Sequence, residues 1–299
     1  MSFGDLSRIS TNVQALQANA QLQRTNQELG LRQLRLATGS RLNRAEDDSA
    51  GYSISKKLEA RVRGQAQALA NIGDAKSMLT VAEGSLNSIM DVLQTMKEKA
   101  VQAANDTMGA DERAAIESQL EAMTEEIHVM LASTDFNGTN LFVDEDGDPA
   151  NVSLTFQVGS DSGDTFDVTI ETLRVGRGGG SMFEGAGVAL VNRDPTEVEW
   201  DISTGENARL AIDGVDNAIK VLADRLAHIG DSQKRLTFKQ DNLQTAMNNY
   251  EAARSRINDA DFAKEQMELV KLQILQQTGT AALAQSNAAP QAILSLIGG

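Results

Sequence analysis

From Ile9 onward the apolar positions run Ile9, Val13, Leu16 and Ala20, pass through Gln23 and Gln27, and resume at Leu31 and Leu34. Intervals of four and three residues set such positions on one face of an α-helix, so the spacing predicts a coiled-coil helix with a polar stretch in its seam. Asn12, Asn19 and Asn26 fall on its other faces. From Thr38 to Gly51 the period is broken by Gly39, Ser40, Asn43, Asp47 and Asp48, and the segment reads as a connector. A second stripe, Leu58, Val62, Leu69, Ile72, Leu79, Ala82, Leu86, Ile89, Leu93, Met96, Ala100 and Ala103, predicts one helix roughly 70 Å long. Asn105–Gly109 stops it, and Ile116, Leu120, Met123, Ile127 and Leu131 mark a third helix starting near Asp111.

Phe136–Phe142 reads as a turn whose apolar ends dock on a core. The period then changes from helical to two. Val152, Leu154, Phe156 and Val158 alternate with polar residues, a turn follows at Gly159–Asp164, and Phe166, Val168 and Ile170 alternate again, which predicts a β-hairpin. Gly176–Gly187 is glycine-rich and reads as a surface loop; it lacks the following helix and placed Lys of a phosphate loop. Ser203 and Glu206 form a capping-box pattern. Behind them a seam through Val215, Ile219, Leu222, Leu226, Ile229, Leu236, Leu243, Met247, Tyr250 and Ile257 predicts a helix on the order of 80 Å, with Gly230–Asp231 as a candidate kink. Two very long helices and a medium one with short connections argue for an antiparallel bundle, so the fold class is mainly α with a small β-hairpin region.

The last stretch, Phe262–Ile297, is different in kind. Phe262 and Leu269 lie on one heptad line, Met267, Val270, Ile274, Ala281 and Ala284 on another, and Leu272 and Leu275 fill the gap. A helix that is apolar nearly all round has to be buried nearly all round. One antiparallel neighbour, for which the helix from Ile9 has the matching length, covers only part of it, so other molecules or a membrane must cover the rest.

Composition narrows the chemistry. Aromatic residues make up 4% of the 299 positions, so the core is aliphatic and Ala-rich. The absence of Cys excludes disulfides, thiol nucleophiles and Cys-zinc sites. A formal charge of −15 argues against nucleic acid as a partner. No stretch reaches the ~20 apolar residues of a membrane span, and no cleavable signal peptide is expected from the first residues. His128 and His228 have no nearby nucleophile and no zinc-binding spacing, so no enzymatic role and no cofactor are expected. Glu46, Asp47 and Asp48 read as a solvated or helix-capping run rather than a metal site. Asp144, Asp146 and Asp148 have the alternate spacing of a calcium loop, but Pro149 and Thr155 stand where such a loop needs Gly and Glu, so a solvated turn is the better reading.

Both ends of the chain resemble bacterial flagellin. The N-terminal half carries "ISTNVQALQANAQL", "LATGSRLNRAEDDSAGYSISKKLEARVRG", "LTVAEGSLNSIMDVLQTMKEKAVQAAND" and "STDFNGTNLF"; the C-terminal part carries "RINDADFAKEQ" and "QILQQTGTAALAQSNAAPQAILSLI". The hairpin "LTFQVGSDSGDTFDVTIETLRVG" is also similar to the family's. The resemblance covers roughly residues 5–175 and 205–299, in order. It implies a structural subunit of the extracellular flagellar filament, built as a hairpin with discontinuous N- and C-terminal halves. Residues 1–44 and 257–299 would pair as an inner coiled coil. Residues 45–143 and 201–256 would form the outer-tube helical bundle, and 144–200 a β-hairpin and Gly-rich loop in place of larger insertion domains. The implied assembly core comprises Ile9, Val13, Leu16, Ala20, Leu31 and Leu34 from the first helix. From the last it comprises Phe262, Met267, Leu269, Val270, Leu272, Ile274, Leu275, Leu283, Ile293, Leu294 and Leu296. The implied partners are other copies of the chain, a flagellar export chaperone on the last helix, the filament cap and hook–filament junction proteins, with unfolded export through the type III apparatus.

Two departures carry expectations of their own. The family segment recognised by the animal innate receptor usually shows Arg, Leu and Glu where Thr95, Lys99 and Gln119 stand here, which implies weak recognition. The family is often O-glycosylated on exposed hydroxyls, for which Ser160, Ser162, Thr165 and Ser181 are the candidates. The alternatives are a hook–filament junction protein, which shares the terminal helices, and a membrane-active type III translocator. Against the translocator, Phe262–Ile297 carries Gln273, Gln276, Gln277, Gln285 and Gln291 rather than a basic face.

Overall fold

The computed structural model describes residues 12–143, 151–171 and 200–297, with side chains to 288. Ile9, the acidic turn at Asp144, Asp146 and Asp148, the Gly-rich loop with Ser181, and the side chains of Ile293, Leu294 and Leu296 lie outside the described residues. In chain order the elements are α1 (Val13–Thr38), α2 (Ser49–Ala103), α3 (Ala110–Ser133), β1 (Asp135–Phe136), β2 (Thr139–Asn140), β3 (Val152–Gln157), β4 (Thr165–Ile170), α4 (Gly205–Asn258) and α5 (Phe262–Ile297). Over the described residues the chain is mainly α with two small antiparallel strand pairs. It divides into two compact units, Met1–Val62 with Asn248–Gly299, and Arg63–Met247.

In the second unit α2 presents Ile72, Ala75, Leu79, Ala82, Leu86, Ile89, Leu93, Met96, Ala100 and Ala103, each essentially excluded from solvent. Their alternation of three and four residues is unbroken, which is a coiled-coil seam in which small Ala layers let neighbouring helices approach closely. Ile116, Leu120, Ile127 and Leu131 of α3 and Ala211, Val215, Ala218, Leu222, Ile229 and Leu236 of α4 pack into the same core. Trp200, fully buried just before α4, donates its indole N–H to Thr124 Oγ1 at 2.9 Å, so its polar atom is satisfied inside the core.

The turn after α3 is a tight hairpin. Asn137 (φ 53°) and Gly138 (φ 78°) both take the left-handed conformation that a two-residue hairpin requires, and the following Leu141 and Phe142 are buried in the core. β3 and β4 pair in the register Phe156↔Phe166 and Leu154↔Val168. Phe166, Val168 and Ile170 point inward while the residues between them face solvent, the alternation that period-two patterning predicts.

The capping of α4 differs from the sequence reading. Thr204, not Ser203, caps it, its Oγ1 accepting the Asn207 N–H at 3.1 Å. Ser203 is held instead by Asp201, to which both its backbone N–H and its hydroxyl donate. α4 runs through Gly230–Asp231 without a break.

Candidate functional site

The first unit is organised by α1 packed on α5. Its contacts fix an antiparallel register. Asn12 Nδ2 donates to the Ser286 carbonyl at 2.7 Å, Gln276 Nε2 donates to Asn26 Oδ1 at 2.8 Å, and Arg32 Nη1 donates to both carboxylate oxygens of Glu265 at 3.0 and 2.8 Å. Between them Gly279 lies against Leu22, close enough that a Cβ there would stand 3.4 Å from a Leu22 methyl. Asn12 also caps α1, its Oδ1 accepting the Ala15 N–H at 3.0 Å. One side chain thus starts α1 and ties it to α5.

The seam between them is polar for its position. On α5 the inward residues are Glu265, Leu269, Leu272, Gln276, Gly279, Leu283 and Ser286, again at alternating intervals of four and three. On α1 they are Ala15, Ala18, Leu22, Thr25, Leu29, Arg32 and Leu36. Glu265 is only 5% exposed. It is held by Arg32 and lies 3.6 Å from Arg35, which itself reaches Asp47 at 3.8 Å. This chain of charges joins α1, the first turn of α5 and the connector between α1 and α2.

The two connectors are clasped as well. Ser40 and Asp259 form an isolated antiparallel bridge, the Arg41 N–H donates to the Asn258 carbonyl at 2.6 Å, and the Ala260 N–H donates to the Gly39 carbonyl at 2.9 Å. Gly39 ends α1 in the left-handed conformation (φ 68°) that turns the chain toward this clasp. The acidic run has structural work to do. Asp47 Oδ2 accepts the N–H groups of Asn43 and Arg44, and Asp48 Oδ1 caps α2 through the Gly51 N–H at 2.9 Å. The Arg44 N–H, then that of Asn43 and the nearby Arg35 and Arg44 guanidinium groups, hold the Asp47 carboxyl below its ordinary range against the opposing effect of burial.

The residues singled out from sequence fall into two sets. Leu269 and Leu272 are buried in the α1–α5 seam; Val13, Leu31, Leu34 and Leu283 are half-buried. Leu16, Phe262, Met267, Val270, Ile274 and Leu275 stay in solvent, Phe262 and Met267 by 67% and 68%, and Ala20 is exposed too. The stripe read from Ile9 to Leu34 is therefore not the face α1 turns to α5 at Leu16 and Ala20. Glu265, Arg32 and Gln276 were missed, although Glu265 lies in heptad phase with Leu269 and Leu272. Elsewhere, Thr95 and Gln119 are exposed on α2 and α3, Lys99 is half-buried, and Ser160, Ser162 and Thr165 are exposed at the β3–β4 turn. Among the described residues no His, Asp and Glu side chains group to hold a metal ion, and no helix is long and apolar enough to cross a membrane.

The family model described as bacterial flagellin N-terminal helical region matches residues 9–146, and that described as bacterial flagellin C-terminal helical region matches residues 212–297. The chain is similar to a flagellin of Halalkalibacterium halodurans, 36% identical over 263 residues that span 88% of this chain and 89% of that one. It is similar to a flagellin of Bacillus subtilis, 34% identical over 304 aligned positions that span 97% and 99%. The crystal structure of Bacillus cereus flagellin matches 58% of this chain and 88% of its own at 22% identity, with a TM-score of 0.44. With both terminal regions matched in order and relatives aligned along nearly their full length, the chain belongs to the bacterial flagellins, the non-enzymatic structural subunits that polymerise into the extracellular flagellar filament.

Proposed function

We propose that the α1–α5 pair is the core through which copies of this chain assemble. The observation that carries this is the stripe of Leu16, Phe262, Met267, Val270, Ile274 and Leu275, left 45–68% exposed while Glu265, Gln276, Thr25 and Arg32 occupy the seam. Fully burying an apolar side chain of this size contributes about 1.5–3 kcal/mol, so covering the exposed part of six contributes on the order of 5–10 kcal/mol per subunit before ordering costs. Ile9, Val13, Ala20, Leu31, Leu34, Leu269, Leu272, Leu283, Ile293, Leu294 and Leu296 belong to the same core on this reading.

The inner domain then comprises 1–44 with 257–299. The outer bundle comprises 45–143 with 201–256 and carries 144–200. The clasp between Gly39–Arg41 and Asn258–Ala260 ties the two connectors together within the first compact unit. Before assembly the exposed stripe of α5 needs cover, which supports an export chaperone there. The filament cap and hook–filament junction proteins complete the partner set. Thr95, Lys99 and Gln119 leave the innate-receptor segment weakly recognised, and a full-strength response in a receptor reporter assay would overturn that. Ser160, Ser162 and Thr165 are accessible to a glycosyltransferase, and an intact mass equal to the bare chain would remove the idea.

Seeded sedimentation tests the central reading. The full chain should pellet as long uniform filaments on short seeds, and a chain lacking Phe262–Gly299 should stay soluble. A full chain that stays monomeric with seeds at high concentration contradicts it.

A further inference from the structure

Asn137 and Gly138 form the only Asn–Gly pair in the chain. They make the turn between β1 and β2, and both are exposed. A Cβ at Gly138 would meet nothing within 4 Å, so the main-chain nitrogen of Gly138 has open space beside it. Its N–H donates to Asp135 Oδ2 at 3.2 Å. The turn thus brings together the parts of one reaction. They are an uncrowded nitrogen, the carboxamide of the residue before it, and a carboxylate on the nitrogen's proton, within the reach of a general base. At every other asparagine the following residue carries a side chain that crowds the attacking nitrogen. Inside the helices that nitrogen also donates to a carbonyl four residues back.

We propose that Asn137 is a site of spontaneous covalent modification, its amide converting to aspartate and isoaspartate while Asp135 draws off the proton, and that isoaspartate there unfastens the turn. The Gly138 nitrogen bonds to Asn137 Cγ and the Cγ–Nδ2 bond breaks. The proton taken by Asp135 passes through solvent to the leaving group, which departs as ammonia. Water then opens the five-membered imide. Opening at Cγ gives aspartate. Opening at the main-chain carbonyl leaves Gly138 joined through Cγ, which is isoaspartate.

The two products act differently on the fold. Aspartate keeps the length of the turn and tolerates the left-handed conformation at position 137 (φ 53°) as asparagine does. Isoaspartate adds a main-chain atom to a two-residue turn, and the register Asp135↔Asn140, Phe136↔Thr139 does not accommodate it. Asn140 is the next residue along. Its Nδ2 donates to the Ala132 carbonyl, and its Oδ1 accepts the N–H groups of Phe142 and Val143, both at 2.9 Å. These bonds hold the segment that buries Leu141 and Phe142. Isoaspartate therefore loosens the anchor that follows α3. An extracellular subunit is not resynthesised in place, so the change accumulates with age.

The test uses the folded full-length chain, held at neutral pH for weeks, digested, and read by peptide mass and by methylation with an isoaspartyl methyltransferase. Aspartate and isoaspartate should appear at position 137 before any other asparagine reacts. Asp135→Asn keeps an oxygen to accept the Gly138 N–H but is no base, and it should slow the reaction by about tenfold or more. In urea, where the fold no longer places Asp135, the two chains should react alike. Asn137→Gly suits the same turn and should abolish the signal. The separated isoaspartate form should unfold at a lower urea midpoint than the unmodified chain. An Asn137 that outlasts other asparagines, a folded Asp135→Asn rate within about twofold of wild type, or an isoaspartate form as stable as the unmodified chain overturns the proposal. The filament reading stands or falls separately, because the test needs no assembly.

Discussion

Replacing Glu265 with Ala removes the one carboxylate shared by two arginines of α1. Arg32 Nη1 lies 2.8 Å from its Oε2 and Arg35 Nη1 lies 3.6 Å from its Oε1. Without it the two guanidinium groups stand on successive turns without their shared carboxylate, and Arg35 keeps only its 3.8 Å approach to Asp47. Deleting one partner of a fully buried ion pair costs about 3–5 kcal/mol, because the other charge is left behind without compensation. The Arg32 side chain is 26% exposed and that of Arg35 15%, so water recovers part of this, and the expected cost is about 2–3 kcal/mol. The helix pair must form in every subunit that joins a filament. At about 1.4 kcal/mol per tenfold, the critical concentration for seeded growth should rise about 30- to 140-fold. The assay is sedimentation of seeded chain over a concentration series, with circular dichroism confirming that the variant retains its helices. Glu265→Gln keeps an acceptor and loses the charge, so its effect should be smaller. Replacing Glu265, Arg32 and Arg35 together by apolar residues of similar volume should recover much of the loss. A critical concentration for Glu265→Ala within threefold of wild type would refute the reasoning.

Three further outcomes follow from local geometry. The Asp47 carboxyl is depressed below its ordinary value of 3.8, so its contribution to stability is present above about pH 4 and is lost as pH falls through the folded-state value; Asp47→Asn should flatten that acid limb in denaturation midpoints measured from pH 5 down to about pH 2. Gly138→Ala places a Cβ at φ 78°, and urea unfolding should show a loss of roughly 1–2 kcal/mol. Trp200→Phe removes the 2.9 Å bond to Thr124 and leaves a small void, but the Thr124 hydroxyl still donates to the Leu120 carbonyl, so the loss should be about 1–2 kcal/mol in the same assay.

The long seam of α2 was readable because its buried residues recur without interruption from Ile72 to Ala103, and the β3–β4 hairpin because its alternation is clean. The face by which α1 meets α5 was not. α1 has apolar residues on more than one face, and spacing alone does not tell which face a partner within the chain will take. The pair is joined by Leu22, Thr25, Leu29 and Arg32 rather than by the line through Leu16 and Ala20. Arg32 has its partner 233 residues away, and no local pattern reveals a charge that is satisfied at that distance. The cap of α4 moved by one residue for a similar reason, since Asp201 captures the Ser203 hydroxyl and leaves Thr204 to cap. The expectation that α5 carries more apolar surface than one neighbour can cover needed only its own sequence, and Met267, Val270 and Ile274 stand in solvent as that argument requires.

The most direct test of the account is oxidative footprinting of Met267, which is 68% exposed in the subunit. Its thioether should oxidise readily in the free chain and at least about tenfold more slowly in assembled filaments, because neighbouring copies cover the α5 stripe. Equal oxidation rates in monomer and filament would show that the stripe stays in water after assembly, and the terminal helices would then not be the core that holds the filament together.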